Sequence, residues 1–267
     1  MSTYMKNLFL LVMVVFALTF TGCSQDGASK SEAKTEAKSK DSIANAKEFD
    51  ASMKELLESM DYQGRLETML TAYFSQVGYE NQELVDEMKA KMPQVVAGIY
   101  SKHFSVEEIK KLTELNKDSI FKKVTQLQPT MNQEIMQESQ AFVSGSASPN
   151  AKVSVSSEFR DAMKKYLEAE EYGKQMEQMK PVFAQYMQDS DAQSKLDLLY
   201  EALPEFMTKI YSKYFTIDDI KHLTELSNQP ISKKFRQETP GITEEIMIES
   251  QRLMEAFMAK QESAQAL

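Results

Sequence analysis

The chain has few of the residues from which catalytic and metal sites are usually built. Its 267 residues include one cysteine, two histidines and no tryptophan. A disulfide within the chain is therefore excluded. Neither a His-Glu-x-x-His zinc motif nor a glycine-rich phosphate loop occurs in it. We expect a protein that is not an enzyme and that holds no metal and no cofactor.

An excess of acidic residues disfavours one class of partner. The chain carries 40 acidic and 31 basic residues, which gives a formal charge of −9. Affinity for nucleic acid comes mainly from lysine and arginine side chains that neutralise phosphates, and the sequence has no basic stripe. We expect no nucleic-acid partner.

The first 22 residues have the pattern of an export signal. Lys6 supplies a positive charge, residues 8–20 form an apolar run, and small residues precede Cys23. The apolar run is shorter than the roughly 20 residues that a membrane span needs. We therefore interpret residues 1–22 as a signal peptide.

The residues around the expected cleavage site point to a lipid anchor. Phe20-Thr-Gly-Cys23 resembles the lipobox of bacterial lipoproteins, which implies acylation of Cys23, as by palmitate, and attachment to a membrane. Ser24 stands where an aspartate would imply retention in the inner membrane, so the resemblance implies an outer-membrane lipoprotein facing the periplasm. The alternative is an ordinary signal peptide cleaved nearby, which leaves Cys23 as a free thiol.

Composition divides the rest of the chain into five segments. Residues 23–45 are rich in Ser, Ala, Lys and Glu and have no aromatic residue, which predicts a disordered tether. Residues 143–157 are rich in Ser, Gly and Pro and form the expected linker between two helical domains. We place these domains at residues 46–142 and 158–260, and a disordered tail at residues 261–267.

The two predicted domains are copies of one unit. Residues 100–115 reappear without a gap as residues 211–226. Residues 93–140 are about half identical to residues 204–251, and scattered matches extend each copy further back. Self-similarity of this kind indicates a tandem duplication.

Apolar residues recur at helical spacing through both copies. Phe49, Met53, Leu56, Leu57 and Met60, for example, follow the i, i+3, i+4, i+7 pattern. No segment alternates long enough to predict a strand. The sequence therefore predicts an all-α protein made of two tandem helical bundles with about five to six helices each.

Polar residues predict where several helices begin. Ser105 and Thr216 are expected N-caps, because Glu108 and Asp219 follow three residues later and favour the positive end of the helix dipole. Asp118 is expected to begin a short helix.

Prolines predict where helices bend or end. A proline inside a helix removes one backbone hydrogen bond and clashes with the preceding turn. We expect Pro93 and Pro204 to kink or break their helices. We expect Pro129 and Pro240 to end a short helix before the last helix of each copy.

The repeated motif resembles a known family. Tyr-Ser-Lys-x-Phe-[Ser/Thr]-x-[Glu/Asp]-[Glu/Asp]-Ile, followed by Leu-x-x-Leu and Lys-Lys, is similar to the domain-of-unknown-function 2059 family of bacterial envelope proteins. The resemblance covers roughly residues 93–142 and 204–253. It implies two copies of a small, exported, all-helical domain, and it implies no particular chemistry.

Polar residues that are identical between the copies form a candidate interaction surface. A basic spot on an acidic protein suits an anionic partner, a lipid headgroup or a glycan, and a solvated helix face is the alternative. His103 and His222 are not repeated, so we expect neither to mark a site. The candidate interaction residues are Lys102, Lys122, Lys123, Gln126, Lys213, Lys233, Lys234 and Gln237.

Three functional hypotheses follow from the sequence. The first is a non-enzymatic envelope lipoprotein that acts as an interaction or scaffold module, with an envelope protein or a lipid as its partner. The second is a carrier of an apolar ligand or lipid, held in a cavity lined by methionine and aromatic residues. The third is a cell-wall enzyme whose polar residues come together only in the folded chain.

Overall fold

The computed structural model describes residues 40–76, 81–146, 148, 150–177 and 190–265. All regular secondary structure in these residues is helical, which confirms the all-α prediction. The signal peptide, Cys23 and most of the predicted tether lie outside them. The helices are α1 (Lys40–Ser59), α2 (Tyr62–Gln76), α3 (Gln82–His103), α4 (Val106–Lys117), α5 (Ser119–Ser144), α6 (Ser157–Ala169), α7 (Ser190–Tyr214), α8 (Ile217–Ser227) and α9 (Pro230–Gln265), and residues 172–177 are also helical.

The predicted N-caps are confirmed. The Ser105 hydroxyl accepts a hydrogen bond from the Glu108 backbone N–H at 3.3 Å, and the Glu108 carboxylate accepts one from the Ser105 N–H at 2.9 Å. Thr216 and Asp219 form the same reciprocal capping box at the start of α8. Asp118 caps α5 by accepting a hydrogen bond from the Ile120 N–H at 2.8 Å. Local chemistry therefore sets these three helix starts.

The expected helix ends at the prolines are wrong. Pro129 lies inside α5 and Pro240 inside α9, so each copy ends in one continuous helix. Pro93 and Pro204 likewise lie inside α3 and α7, which continue through them. A proline in a helix interior costs about 3 kcal/mol. Packing of the apolar residues elsewhere on each helix offsets that cost.

Parts of the predicted disordered tether and tail are helical. Residues 40–45 belong to α1, and residues 261–265 belong to α9. The end of α9 is held by side-chain contacts to α3: Lys260 Nζ lies 3.5 Å from a Glu87 carboxylate oxygen, and the Gln261 amide donates to Glu83 at 3.3 Å. Composition alone does not predict such contacts between residues that are distant in the chain.

The chain forms two compact units, and their boundaries differ from those of the sequence copies. Unit 1 contains the described residues from 40 to 117 together with 237–265, and unit 2 contains those from 118 to 236. Unit 1 therefore joins α1–α4 of the first copy to most of the last helix of the second. Unit 2 joins α5, the last helix of the first copy, to α6–α8 and the start of α9. Sequence similarity shows which segments share an origin, and it does not show which segments pack together.

The same positions form the core of each unit. Met53 of α1 and Ile109 of α4 are 1% and 0% exposed in unit 1. Their counterparts in unit 2, Met163 of α6 and Ile220 of α8, are both 0% exposed. The methionines at these positions serve as ordinary core residues.

The last helices pack in antiparallel fashion in both units. In unit 1, Glu245 near the start of this part of α9 contacts Lys102 near the end of α3. In unit 2, Glu134 of α5 binds Lys213 at the end of α7 at 2.6 Å, and the ring centroids of Phe142 and Phe206 lie 5.7 Å apart. No helix within the described residues is long and apolar enough to cross a membrane.

Candidate functional site

Three lysines of the predicted interaction surface bind acids of their own unit. Lys102 contacts Glu245, and Lys213 contacts Glu134. These are equivalent pairs, and each joins a lysine of one copy to a glutamate of the other. Although partial burial favours the neutral acid, hydrogen bonds from the lysines and their neighbours lower the pKa of both glutamates. The identity of these residues between the copies therefore has a structural explanation.

Lys123 is also engaged within its unit. Its Nζ atom lies 2.9 Å from the Asp219 carboxylate and 4.9 Å from the centroid of the Phe215 ring, which is a cation–π contact. Of the other candidates, Lys122, Gln126, Lys233 and Gln237 are exposed, and Lys234 is half-buried. The eight residues are divided between the two units, with Lys102 and Gln237 in unit 1 and the rest in unit 2.

Both histidines lie beside carboxylates. His103 is partly buried, with its ring nitrogens 2.7 Å from Glu238 and 3.1 Å from Glu245. His222 contacts Asp118 at 3.0 Å, and this hydrogen bond raises the pKa of His222. In the described part of the chain no group of three or more histidine, cysteine or acidic residues has the arrangement of a metal site.

A feature that the sequence did not predict is a groove along α1 and α3 of unit 1, here called groove 1. Its volume is about 890 Å³. Phe49, Met53 and Leu57 of α1 and Pro93 and Ala97 of α3 supply apolar lining. Exposed charged side chains of α1 and the following turn border it: Asp50, Lys54, Glu58 and Asp61.

Unit 2 has a corresponding groove along α6 and α7, here called groove 2. Its volume is about 680 Å³, and Leu167, Tyr172 and Pro204 supply apolar lining. The charged residues around it are Arg160, Lys164, Glu168, Glu171, Lys174, Glu201 and Glu205.

The two grooves are built from equivalent positions of the copies. Burial raises the pKa of both Tyr62 and Tyr172, so these phenols stay neutral. The groove residues therefore comprise apolar side chains, neutral hydroxyls and charges of both signs. The equivalent pairs are Asp50/Arg160, Lys54/Lys164, Leu57/Leu167, Glu58/Glu168, Asp61/Glu171, Tyr62/Tyr172, Gln63/Gly173, Pro93/Pro204, Gln94/Glu205 and Ala97/Thr208.

Within residues 48–62, most of the residues that are identical between the copies line groove 1. Seven residues from 48 to 62 are identical to their counterparts, and all except Glu48 line groove 1. Burial accounts for some of them, because Phe49 and Met53 are core residues. It does not account for Lys54 and Glu58, whose side chains are 79% and 67% exposed. Their mutual ion pair, at 3.9 Å, is of the exposed kind that contributes little to stability.

Each groove ends at a residue with unusual backbone geometry. Asp61 and Glu171 have φ angles of 49° and 54°, in the left-handed region that glycine occupies most easily. Each links the preceding helix to the next, because its carbonyl accepts the first hydrogen bond of the new helix, from Arg65 and Gln175. The usual glycine signal is absent at both turns, so sequence patterns did not reveal them.

The carbonyl that the proline of groove 1 leaves without a backbone donor has a side-chain donor instead. Because Pro93 has no N–H, it cannot bond the carbonyl of Lys89 one turn earlier. The Gln63 side-chain amide donates to that carbonyl at 3.3 Å. Gln63, in the first turn of α2, thereby links α2 to α3 beside the groove.

Groove 2 contains an ion pair that has no counterpart in groove 1. Arg160 of α6 forms an ion pair with Glu205 of α7, so a charged contact joins the two helices that border groove 2. The equivalent residues in groove 1 are Asp50 and Gln94, an acid and a neutral amide, which have no charge attraction.

Unit 2 also contains a buried ion pair, and neither of its residues lines groove 2. Glu170 is 7% exposed and Arg236 is 3% exposed, with 3.5 Å between the nearest charged atoms. Arg236 also donates to the Ser227 carbonyl at 2.8 Å. Burial raises the pKa of Glu170, against the opposing effects of Ser227 and Arg236. The first copy has Met60 and Thr125 at these positions.

Comparison with known proteins identifies one family. Residues 201–260 match DUF2059, described as an uncharacterized protein conserved in bacteria. The matched segment begins at Glu201 and includes α8 with its capping box and most of α9. No curated protein and no solved structure matches the chain. The description of this family names no biochemical activity.

Proposed function

We propose that this protein is a non-enzymatic envelope lipoprotein, anchored through an acylated Cys23, that binds a partner protein through the two grooves. The observation that carries the proposal is the identity of the exposed groove residues Lys54 and Glu58 with Lys164 and Glu168. A binding role common to both copies requires a charged border that is the same in both grooves, and these residues supply it.

The chemistry of the grooves suits a segment of another protein. An apolar floor with charged borders is the arrangement that receives an amphipathic helix, whose apolar face enters the groove while its polar face meets the borders. Two equivalent grooves on one chain also allow bivalent binding, which raises overall affinity without new contacts. The grooves are open and bordered by charges, so they suit a lipid chain less well than an enclosed apolar cavity would.

Photo-crosslinking in the producing cells tests the partner role. A photoreactive amino acid replaces Lys54 in one variant and Lys164 in another. We expect both positions to capture the same protein. Glu114 and Glu225 are the matched controls, because they occupy equivalent positions, are 75% and 78% exposed, and line neither groove. Equal capture at grooves and controls, or none at the grooves, contradicts the proposal.

Membrane fractionation tests the anchor separately. We expect the Cys23→Ser variant to leave the membrane fraction, because one or more acyl chains supply the attachment. A variant that stays in the membrane fraction to the same extent as the unaltered protein contradicts the lipid anchor and leaves the groove experiment unaffected.

A further inference from the structure

We infer that groove 1 receives a cationic amphipathic helix of the partner, while the Arg160–Glu205 ion pair disfavours this helix in groove 2, which receives a different segment of the same partner. This inference rests on the proposed function and specifies the chemistry of its partner. It starts from a pair of equivalent positions that form an ion pair in groove 2 and not in groove 1.

The ion pair connects the two sides of groove 2. Arg160 and Glu205 extend from the two helices that border the groove, and both line it. A ligand that enters between these helices has to separate the two charges first. Asp50 and Gln94 at the same positions impose no such barrier, and groove 1 is also the larger, at about 890 Å³ against about 680 Å³.

The charge of groove 1 selects the sign of the ligand. Three carboxylates border it, those of Asp50, Glu58 and Asp61, against the single ammonium of Lys54. Lysine or arginine side chains on the flanks of a helix would pair with these acids, whereas acidic flanks would be repelled. Groove 2 is lined by four acidic and three basic residues, and one residue of each sign is already engaged in the Arg160–Glu205 ion pair.

The dimensions of groove 1 match a short helix. Its lining residues on α1 run from Ala46 to Glu58, which at 1.5 Å per residue is about 18 Å, or roughly three helical turns. A ligand helix of that length presents apolar side chains at i, i+3, i+4 and i+7 to the floor formed by Phe49, Leu57 and Ala97.

Two synthetic helical peptides provide the probe for the full mature chain. Both carry the same stripe of leucines, one with lysines on its flanks and the other with glutamates. Isothermal titration calorimetry measures affinity and stoichiometry. We expect one lysine-flanked peptide to bind per chain, at least about tenfold more tightly than the glutamate-flanked peptide.

Exchanging residues between the copies gives the matched variants. Asp50→Arg with Gln94→Glu installs the groove 2 pair in groove 1, and we expect affinity for the lysine-flanked peptide to fall at least about tenfold. Arg160→Asp with Glu205→Gln gives groove 2 the groove 1 residues, and we expect the stoichiometry to rise from one to two. A gain of a binding site cannot result from misfolding.

Three outcomes overturn the inference. They are equal or tighter binding of the glutamate-flanked peptide, unchanged affinity after the Asp50 and Gln94 exchange, and a stoichiometry of two before any exchange. If crosslinks form at Lys54 while the lysine-flanked peptide does not bind, the partner role stands and this inference fails. If the peptide binds as expected while crosslinks at Lys54 equal those at Glu114, the groove chemistry stands and the partner role fails.

Discussion

Glu170 and Arg236 show how one copy has acquired a buried charge pair that the other lacks. Removing one member of a buried pair leaves the other uncompensated and costs about 3 kcal/mol or more, whereas replacing both is often close to neutral. We expect Arg236→Thr alone to lower the free energy of unfolding by about 3 kcal/mol. The double variant Glu170→Met with Arg236→Thr, which copies Met60 and Thr125, should differ from the unaltered protein by about 1 kcal/mol or less.

Urea unfolding of the two single variants and the double variant measures this coupling. If the effect of the double variant equals the sum of the two single effects, the pair is not coupled as the structure indicates.

The raised pKa of Glu170 predicts a pH dependence of defined sign. The folded state holds this proton more tightly than the unfolded state, for which the ordinary pKa is 4.5. The group therefore favours folding most below pH 4.5, and this contribution is lost as pH rises through the folded-state pKa. We expect the free energy of unfolding of the Glu170→Met, Arg236→Thr variant, relative to the unaltered protein, to increase from pH 4 to pH 7. Urea unfolding at four pH values checks it, and a constant difference contradicts it.

At the scale of helices, the last helix of each copy packs on the other copy, and this arrangement leads to a prediction that the sequence alone does not make. Lys213 pairs with Glu134 of the first copy and not with Glu245 of its own. We expect Lys213→Glu to destabilise the protein by about 1 kcal/mol, because this ion pair is only partly exposed. Glu134→Lys should restore most of the loss, whereas Glu245→Lys should add to it by breaking the contact with Lys102.

Thermal or urea unfolding of the two double variants distinguishes these outcomes. Rescue by Glu245→Lys, without rescue by Glu134→Lys, would show that each last helix packs on its own copy.

The same helices show what the sequence predicts and what it leaves open. Ser105 and Thr216 were correct as N-caps, because a capping box involves residues only three apart. Which glutamate Lys213 binds was not predictable, since Glu134 and Glu245 occupy equivalent positions in the two copies and satisfy the same chemistry.

The grooves were not predicted for a related reason. The sequence shows that Lys54 and Glu58 match Lys164 and Glu168, but their position on a groove depends on how α1 packs beside α3. The lysines of the predicted surface show the converse case. These lysines are identical between the copies, and the ion pairs of Lys102, Lys123 and Lys213 within each unit explain why.

At the scale of the molecule, the discontinuous composition of unit 1 makes it sensitive to changes near the C-terminus. Ser250 of α9 is 1% exposed, and its hydroxyl lies 3.5 Å from the Met92 sulfur of α3. A carboxylate at this position would be buried without a partner. We expect Ser250→Asp to speed amide hydrogen exchange in α3 at least about tenfold and to leave α7 unchanged.

Ser139→Asp is the matched control for this experiment. Ser139 is the equivalent residue of α5 in unit 2 and is half-buried. We expect Ser139→Asp to speed amide hydrogen exchange in α7 and to leave the exchange in α3 unchanged. Equal changes in both helices for either variant would show that the last helices do not belong to separate cooperative units.

The place of the distal part of α9 in unit 1 has a consequence for the order of events in biosynthesis. Chains emerge N-terminal end first, and domains made of continuous sequence can fold as soon as they have emerged. Unit 1 has its first helix at residue 40 and its last contacts from residues 237–265, with all of unit 2 between them. The unit that is synthesised first is therefore finished last, and until then the surface that receives α9 stays uncovered and open to chaperones, proteases or a second chain.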